Sequence, residues 1–393
     1  GLKNHSNLQS IYVFTQLNFK NYFYSYIYQN ISSKTVNNNF IDTINGFNNS
    51  QNNYAGVGYE NNWVNIQIGK GRESWGAGND IQLALSENSS PYNYFLLSSN
   101  YGWVRVRYMH GLLEAVNGGA EIVNGEIKTN EGNYNRYITA RGLEWTNRKS
   151  LIISLSEIVI YSGENRYMDI GYINPISSHL ELELNNRLNT FGNSNSNAVW
   201  QFHSDYFFND NFRLSINYLF DDIVLDSNIE KEKEHGLASS IRLAYTPIFT
   251  NSQLITLYGR IITVGTPTFR HGRGTNNFIH NGEPLGWYGG SDSRDICLGI
   301  NHFDTKSLIL GTSIGFLSKG EESILNRAYD PYKDYLKDSF PSGQVDKIIY
   351  FDSYFRYLWN PNFSIASGLK WSKEFGRANK IDFNFILLIY HSF

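Results

Sequence analysis

The amino-acid sequence predicts an all-β fold, a single transmembrane antiparallel β-barrel of the outer-membrane kind with about 16 to 18 strands. Three observations carry this expectation. Of 393 residues, 28 are Tyr, 25 Phe and 8 Trp, although only 41% are hydrophobic. A soluble core is built from Leu, Val, Ile and Ala. A spanning barrel needs aromatic girdles at two interfaces and side chains that suit a pleated surface. Hydrophobicity also alternates with period two along most of the chain. Finally, short and long connections take turns, as they do when short turns face one side of a membrane and long loops the other.

Each element can be placed in order. Alternating segments fall near 10–28, 54–60, 63–70, 93–99, 102–115, 135–146, 150–161, 197–207, 211–224, 236–247, 252–264, 292–303, 306–318, 345–358, 361–374 and 380–393. Short turns separate some of them, for example Asn61-Asn62, Asn147 to Lys149 and Trp359-Asn360. Long connections lie between, at 29–53, 71–92, 116–134, 162–196, 225–235, 265–291 and 319–344, and only 375–379 is short where a long one is due. A further hairpin inside 162–196 would raise the strand count from 16 to 18. In 102–110, Val104, Val106 and Tyr108 share one face and Arg105 and Arg107 the other. In 347–358, Phe351 and Phe355 oppose Asp352 and Arg356. The apolar set is assigned to lipid and the charged set to the lumen.

Residues 1–393 form one domain, with 1–9 as a periplasmic tail. Phe393 closes the final alternating strand (Ile381, Phe383, Phe385, Leu387, Ile389), and a terminal aromatic there resembles the signal read by barrel-assembly machinery. The Asn-rich stretch from Asn37 to Asn53 reads as a mobile loop. Gly is frequent at 34 and Pro scarce at 8, as long strands require. Charged residues make up 18% with a net of −3, which offers no basic face to nucleic acid. The lone Cys297 excludes an intrachain disulfide. The longest apolar run, Phe385 to Tyr390, is far short of a membrane-spanning helix. The chain opens at Gly1 without Met or signal peptide, as a processed or trimmed chain does.

Candidate site residues come from the loops and the lumen face. Arg72-Glu-Ser-Trp-Gly-Ala-Gly-Asn79 opens a loop expected to fold inward. Arg72 or Glu73 would pair with the wall there, since isolated charge in a narrow lumen is poorly solvated. Gly76 and Gly78 allow turns closed to other residues. Trp75 and Asn79 suit a sugar, whose C–H faces pack on indole and whose hydroxyls seek amides and carboxylates. Packing alone is the blander role for Trp75. Loops 162–196 and 265–291 supply Tyr167, Tyr172, Asn174, His280, Trp287 and Asp292 to the same purpose, with Trp287 expected at an exposed loop tip. Arg141, Glu144 and Glu157 are expected to form a lumenal ladder with Arg105, Arg107, Asp352 and Arg356, either bracing the wall or lining a ligand path. Asp221-Asp222 point to opposite faces and do not share an ion. His110 with Glu114, and His203 with Asp205, share strand faces but have no nucleophile beside them, so no catalytic residue, metal or cofactor is assigned.

Four segments together resemble the family of the capsule assembly protein Wzi. They are Gly69 to Asn79 with Leu83-Ala-Leu-Ser86; Arg141-Gly-Leu-Glu144 with Leu155-Ser-Glu157 and Tyr161; Tyr172-Ile-Asn-Pro175; and His280 to Gly286 with Gly290, Asp292, Leu298 and Phe303. The resemblance implies an 18-stranded barrel that binds exported capsular polysaccharide at the cell surface and has no catalytic residues. Members also carry a helical element on the periplasmic side, and residues 1–9 suggest none. The expected partners are outer-membrane lipid and lipopolysaccharide, surface polysaccharide and other outer-membrane proteins. Termini would be periplasmic and long loops extracellular. Two other readings stand beside this one: a porin-like diffusion channel, and a structural subunit docking on a larger outer-membrane machine. An inward loop favours the first reading, an open charged lumen the second, and an apolar patch above the lipid band the third.

Overall fold

The computed structural model describes residues 10–20, 22–32, 53–123, 126–179, 196–221, 233–250, 252–304, 307–331, 338–360, 363–375 and 380–389. The tail 1–9, nearly all of the Asn-rich stretch and Phe393 lie outside the described residues.

The wall opens with β1 (Ser10–Phe19), β2 (Phe23–Ser32), β3 (Tyr54–Glu60), β4 (Val64–Gly71), β5 (Tyr92–Asn100) and β6 (Val104–Leu112). It continues with β7 (Val116–Val123), β8 (Glu126–Thr146) and β9 (Leu151–Glu164), after which comes a single helical turn, α1 (Ile170–Ile173). Next are β10 (Ser196–Asn209), β11 (Phe212–Phe220), β12 (Leu237–Phe249) and β13 (Gln253–Val264). A two-stranded hairpin, β14 (Ile279–His280) and β15 (Glu283–Pro284), stands apart from the wall. The wall then finishes with β16 (Ser293–Asp304), β17 (Leu308–Lys319), β18 (Asp346–Asn360), β19 (Phe363–Glu374) and β20 (Lys380–Ile389).

Successive wall strands pair antiparallel in one 18-stranded sheet. β6 and β7 run one after the other along the 21-residue β8, so they share a single position in the wall. The fold is an outer-membrane type barrel.

Two segments differ from the sequence expectation. Residues 10–28 do not form one strand, because the chain reverses at Lys20 and β1 folds back on β2 with Phe19 opposite Phe23. Lys20 takes φ 52 and the Tyr22 N–H closes the turn on the Phe19 carbonyl at 3.3 Å. No Gly or Pro marks this turn, and the alternation reads straight through it. Residues 116–134 are not a loop but a hairpin of β7 with the first half of β8.

The two faces of the wall separate as period two requires. Val57, Ile68, Val106, Leu143, Leu155, Leu257, Ile261, Leu298 and Ile314 are exposed on the outside. Trp63, Tyr101, Trp103, Trp145 and Trp359 are exposed at or beside the short turns, where an interfacial girdle belongs. Arg105, Arg107, Asp352 and Arg356 lie on the opposite, lumenal face. Phe351 and Phe355 lie on the outer face, partly covered by neighbours.

Candidate functional site

Loop 71–92 crosses the lumen. Gly76 and Gly78 take φ 140 and 73, which turns the chain inward. The loop hangs by its main chain from polar groups on the far wall. Asn217 Oδ1 accepts from Ala77 N at 2.7 Å, and its Nδ2 donates to the carbonyls of Ala77 and Ile81 at 3.1 Å. Ser240 Oγ donates to Ile81 O at 2.6 Å, and Gln201 Nε2 to Trp75 O at 3.1 Å. Buried irregular backbone must find such partners, which explains why β10, β11 and β12 each turn an amide or hydroxyl inward.

At the root of the loop, Glu73 pairs with Arg107 at 2.8 Å, and the Arg107 guanidinium lies 4.7 Å from the Trp75 ring centre. Arg72 donates to Glu87 O at 2.7 Å and packs on Tyr54. Trp75 itself is buried among Leu83, Leu85 and the inner wall, so it packs the plug. Asn79 is exposed.

A second segment, 265–292, seats on the first. Trp287 N donates to Leu83 O at 3.0 Å, Ser86 N to Leu285 O at 3.0 Å, and Ser86 Oγ to Gly286 O at 2.6 Å. Arg136 reaches inward to the carbonyls of Thr275 and Asn277. A third segment, described over 320–331 and 338–344, locks on the second through Asp292. Its carboxylate accepts from Thr266 Oγ1 at 3.1 Å, Ser342 N at 2.9 Å, Ser342 Oγ at 2.5 Å and Glu322 N at 3.2 Å. Trp287 is 1% exposed and Asp292 fully buried. Neither is therefore at a loop tip: Asp292 ties two inward segments together, and the Trp287 ring fills the core between them. Trp287→Ala would disturb the plug and cannot isolate a sugar contact. Beneath the plug, toward the short turns, the lumen keeps a cavity of about 760 Å³ lined by groups such as Gln16, Asn18, Tyr24, Tyr26, Asn65 and Gln67.

The expected charge ladder divides between the two faces. Arg105 and Glu144 pair in the lumen at 3.2 Å. Arg141 and Glu157 also pair, at 3.1 Å, but on the outer face, which corrects the lumenal assignment. Arg141 and Glu144 stand three residues apart, so one strand cannot turn both the same way. Segment 165–179 covers the outer pair. Tyr172 stacks on Tyr161 at 4.3 Å, and Tyr161 on Tyr137 at 5.0 Å, forming a small apolar cluster separate from the lumen core. Tyr108 belongs to the outer face yet is covered by this segment, so it does not meet lipid directly. Tyr172 is thus buried, Asn174 exposed, and Tyr167 stands free at 85% exposure.

Asp352 sits opposite Lys370 in the register, and Arg356 Nε donates to Ser364 Oγ at 3.3 Å. A further lumenal network was not singled out from the sequence. Arg260 joins Asp295 at 3.3 Å and Asp80 of the plug at 3.2 Å, while Tyr350 donates to Asp295 at 2.8 Å. Its signal was Arg260, a lone charge in the alternating apolar strand β13. The titratable pairs weighed for catalysis have other partners. His110 sits between the hydroxyls of Tyr108 and Tyr161 on the outer face, whereas Glu114 holds Asn281 N and the Tyr329 hydroxyl. Asp205, below His203, is held by Arg213 and Ser215. Among the described residues no cluster of His, Cys, Asp and Glu has the makings of a metal site.

No protein-family model and no curated protein matches this sequence. Solved structures do. Wzi, an outer-membrane protein involved in group 1 capsule assembly in Escherichia coli and a carbohydrate-binding β-barrel, superposes with a TM-score of 0.65. The match covers 95% of this chain and 76% of that one at 12% identity. The chain folds as the Wzi barrel does. Pseudomonas aeruginosa OccK10 (OpdN) matches at a TM-score of 0.50 and 9% identity, over 98% of this chain and 96% of that one. At such identities the likeness to Wzi and to OccK10 establishes the outer-membrane barrel fold.

Proposed function

We propose that this barrel binds exported capsular or exopolysaccharide at the cell surface and catalyses no reaction. The observation that carries the reading is the plug: three segments interlock across the lumen through main-chain hydrogen bonds and the buried Asp292. A diffusion channel needs an aqueous path with opposed charges facing water. Here the lumenal charges Arg107, Arg260 and Asp80 are spent on holding the plug. Likeness of fold to a carbohydrate-binding barrel supports the same direction.

In this reading the short turns face the periplasm and the plugged end faces out. Asn281, Glu321, Asn326, Arg327 and Asp330 are exposed on the plug segments, and these are groups that exchange hydrogen bonds with hydroxyls. Each contact is weak, because a sugar gives up water hydrogen bonds for similar ones. Retention comes from a long polymer meeting many copies. The test compares cell-bound with shed polysaccharide in wild type, in a double Arg327→Ala, Asp330→Ala variant and in a deletion strain. The deletion should shed polymer and the double variant should shed an intermediate amount. Unchanged retention in the deletion strain would remove the polysaccharide role and bring forward the docking-subunit reading.

A further inference from the structure

Segment 165–179 does not enter the lumen as segments 71–92 and 265–292 do. It leaves β9 at Glu164 and lies back over the outer wall. Part of its irregular backbone is satisfied within the segment. The Asp169 carboxylate accepts from Gly171 N at 2.9 Å, and Tyr172, Ile173 and Asn174 donate within α1. Asn174 Oδ1 accepts from Ile176 N at 3.1 Å, and its Nδ2 donates to Ser177 Oγ at 2.8 Å. Four further groups are met by the wall. Tyr137 OH and Asn135 Nδ2 donate to Arg166 O, and Tyr108 OH and Thr139 Oγ1 to Tyr172 O. Arg141 donates to Asn174 O, and Glu157 accepts from His179 N. These are the polar side chains that period two places on the outer face. A loop in water needs none of them, whereas irregular backbone at membrane depth needs all of them.

The depth agrees. Glu157 lies about 20 Å along β9 from Leu151, hence about 15 Å up the barrel axis at the usual tilt, inside an apolar band about 25 Å tall. Leu143 and Leu155, just below on the same face, are exposed, and Trp200 sits opposite Glu157 in the register. The outer belt is thus interrupted by the Arg141–Glu157 pair, and the segment laid over it turns Ile170, Ile173 and Ile176 outward, with Ile170 at 82% and Ile176 at 88% exposure. Tyr167 stands toward the rim, where an interfacial aromatic belongs.

We propose that residues 166–179 are a lipid-immersed strap that roofs the outer-face polar groups and presents Ile170, Ile173 and Ile176 to the acyl chains of the bilayer, restoring the belt. The test places a nitroxide at Ile170→Cys or Ile176→Cys in the full chain, in phosphatidylcholine vesicles. Cys297 is buried in the wall and should stay unlabelled in the parent. Leu155→Cys serves as the lipid reference and Asn326→Cys as the water reference. Both strap labels should collide with oxygen far more than with a water-soluble nickel chelate, as the label at 155 does. Nickel-dominated collisions like those at 326 would overturn the proposal in favour of a water-facing segment. A label shielded from both reagents would overturn it in favour of a protein partner. Two strap positions guard against one variant misfolding, and heat-modifiable gel mobility reports the folded barrel.

Discussion

Gly286 is the residue on which the plug's construction can be tested most sharply. A Cβ at this position would run into the Leu83 carbonyl, so the second segment lies as close to the first as backbones allow. Next to it the Trp287 ring is enclosed by the same core. Gly286→Ala should push the two segments apart at a cost of about 1–3 kcal/mol, the usual range for overpacking. Trp287→Ala should remove about 3–5 kcal/mol by emptying a large buried site. Both losses fall on the plug, since the wall is held by its own ladders. Amide-exchange protection of Ser86 and Ala77, whose N–H groups are bonded in the plug, should therefore drop in each variant while wall strands such as β17 keep theirs. Equal loss in plug and wall would show that the segments do not open separately.

At the scale of elements, the hairpin β14–β15 carries a pH-sensitive contact. His280 accepts at Nδ1 from Glu114 N at 3.1 Å and presents Nε2 to Pro91 O at 3.2 Å. That arrangement requires the neutral ring. Burial, with Arg136 and Lys70 nearby, holds its pKa down at about 4, and the Pro91 carbonyl offsets this only in part. A depressed histidine keeps its full contribution above the ordinary value of about 6.5 and loses it as pH falls from there toward 4, because the opened state then binds the proton. The loss is at most about 3 kcal/mol. Plug protection, corrected for intrinsic exchange, should fall across that window and flatten in His280→Gln, which can still donate and accept. A pH response unchanged in His280→Gln would assign it to another group.

The same scale shows what was legible beforehand. Period two placed Arg105, Arg107, Asp352 and Arg356 opposite the apolar face because alternation is local. The reversal at Lys20 was hidden because neither Gly nor Pro marks it and both flanks alternate in phase. The lumenal assignment of Arg141 and Glu157 set alternation aside, since Arg141 and Glu144 cannot share a face, and the strap that covers the outer pair is a tertiary contact between distant residues. Loop 71–92 was expected to turn inward. That Trp287 and Asp292 would follow it inside was not legible, since the partners that bury them, Leu83, Ser342 and Glu322, lie far away in the chain.

In the whole molecule, a wall that matches outer-membrane barrels surrounds an interior that the chain itself occupies. Arg107, Arg260, Asn217 and Asp292 spend their polar groups on plug segments, so the charges that line a channel in an open barrel here hold a closed one. A barrel closed in this way has its outer surface left for work. The most direct measurement is single-channel recording of the purified full chain in planar bilayers. The plug predicts no stable openings, apart from brief events if a segment undocks. Large, steady conductance at neutral pH would contradict the closed lumen and make the molecule a diffusion channel.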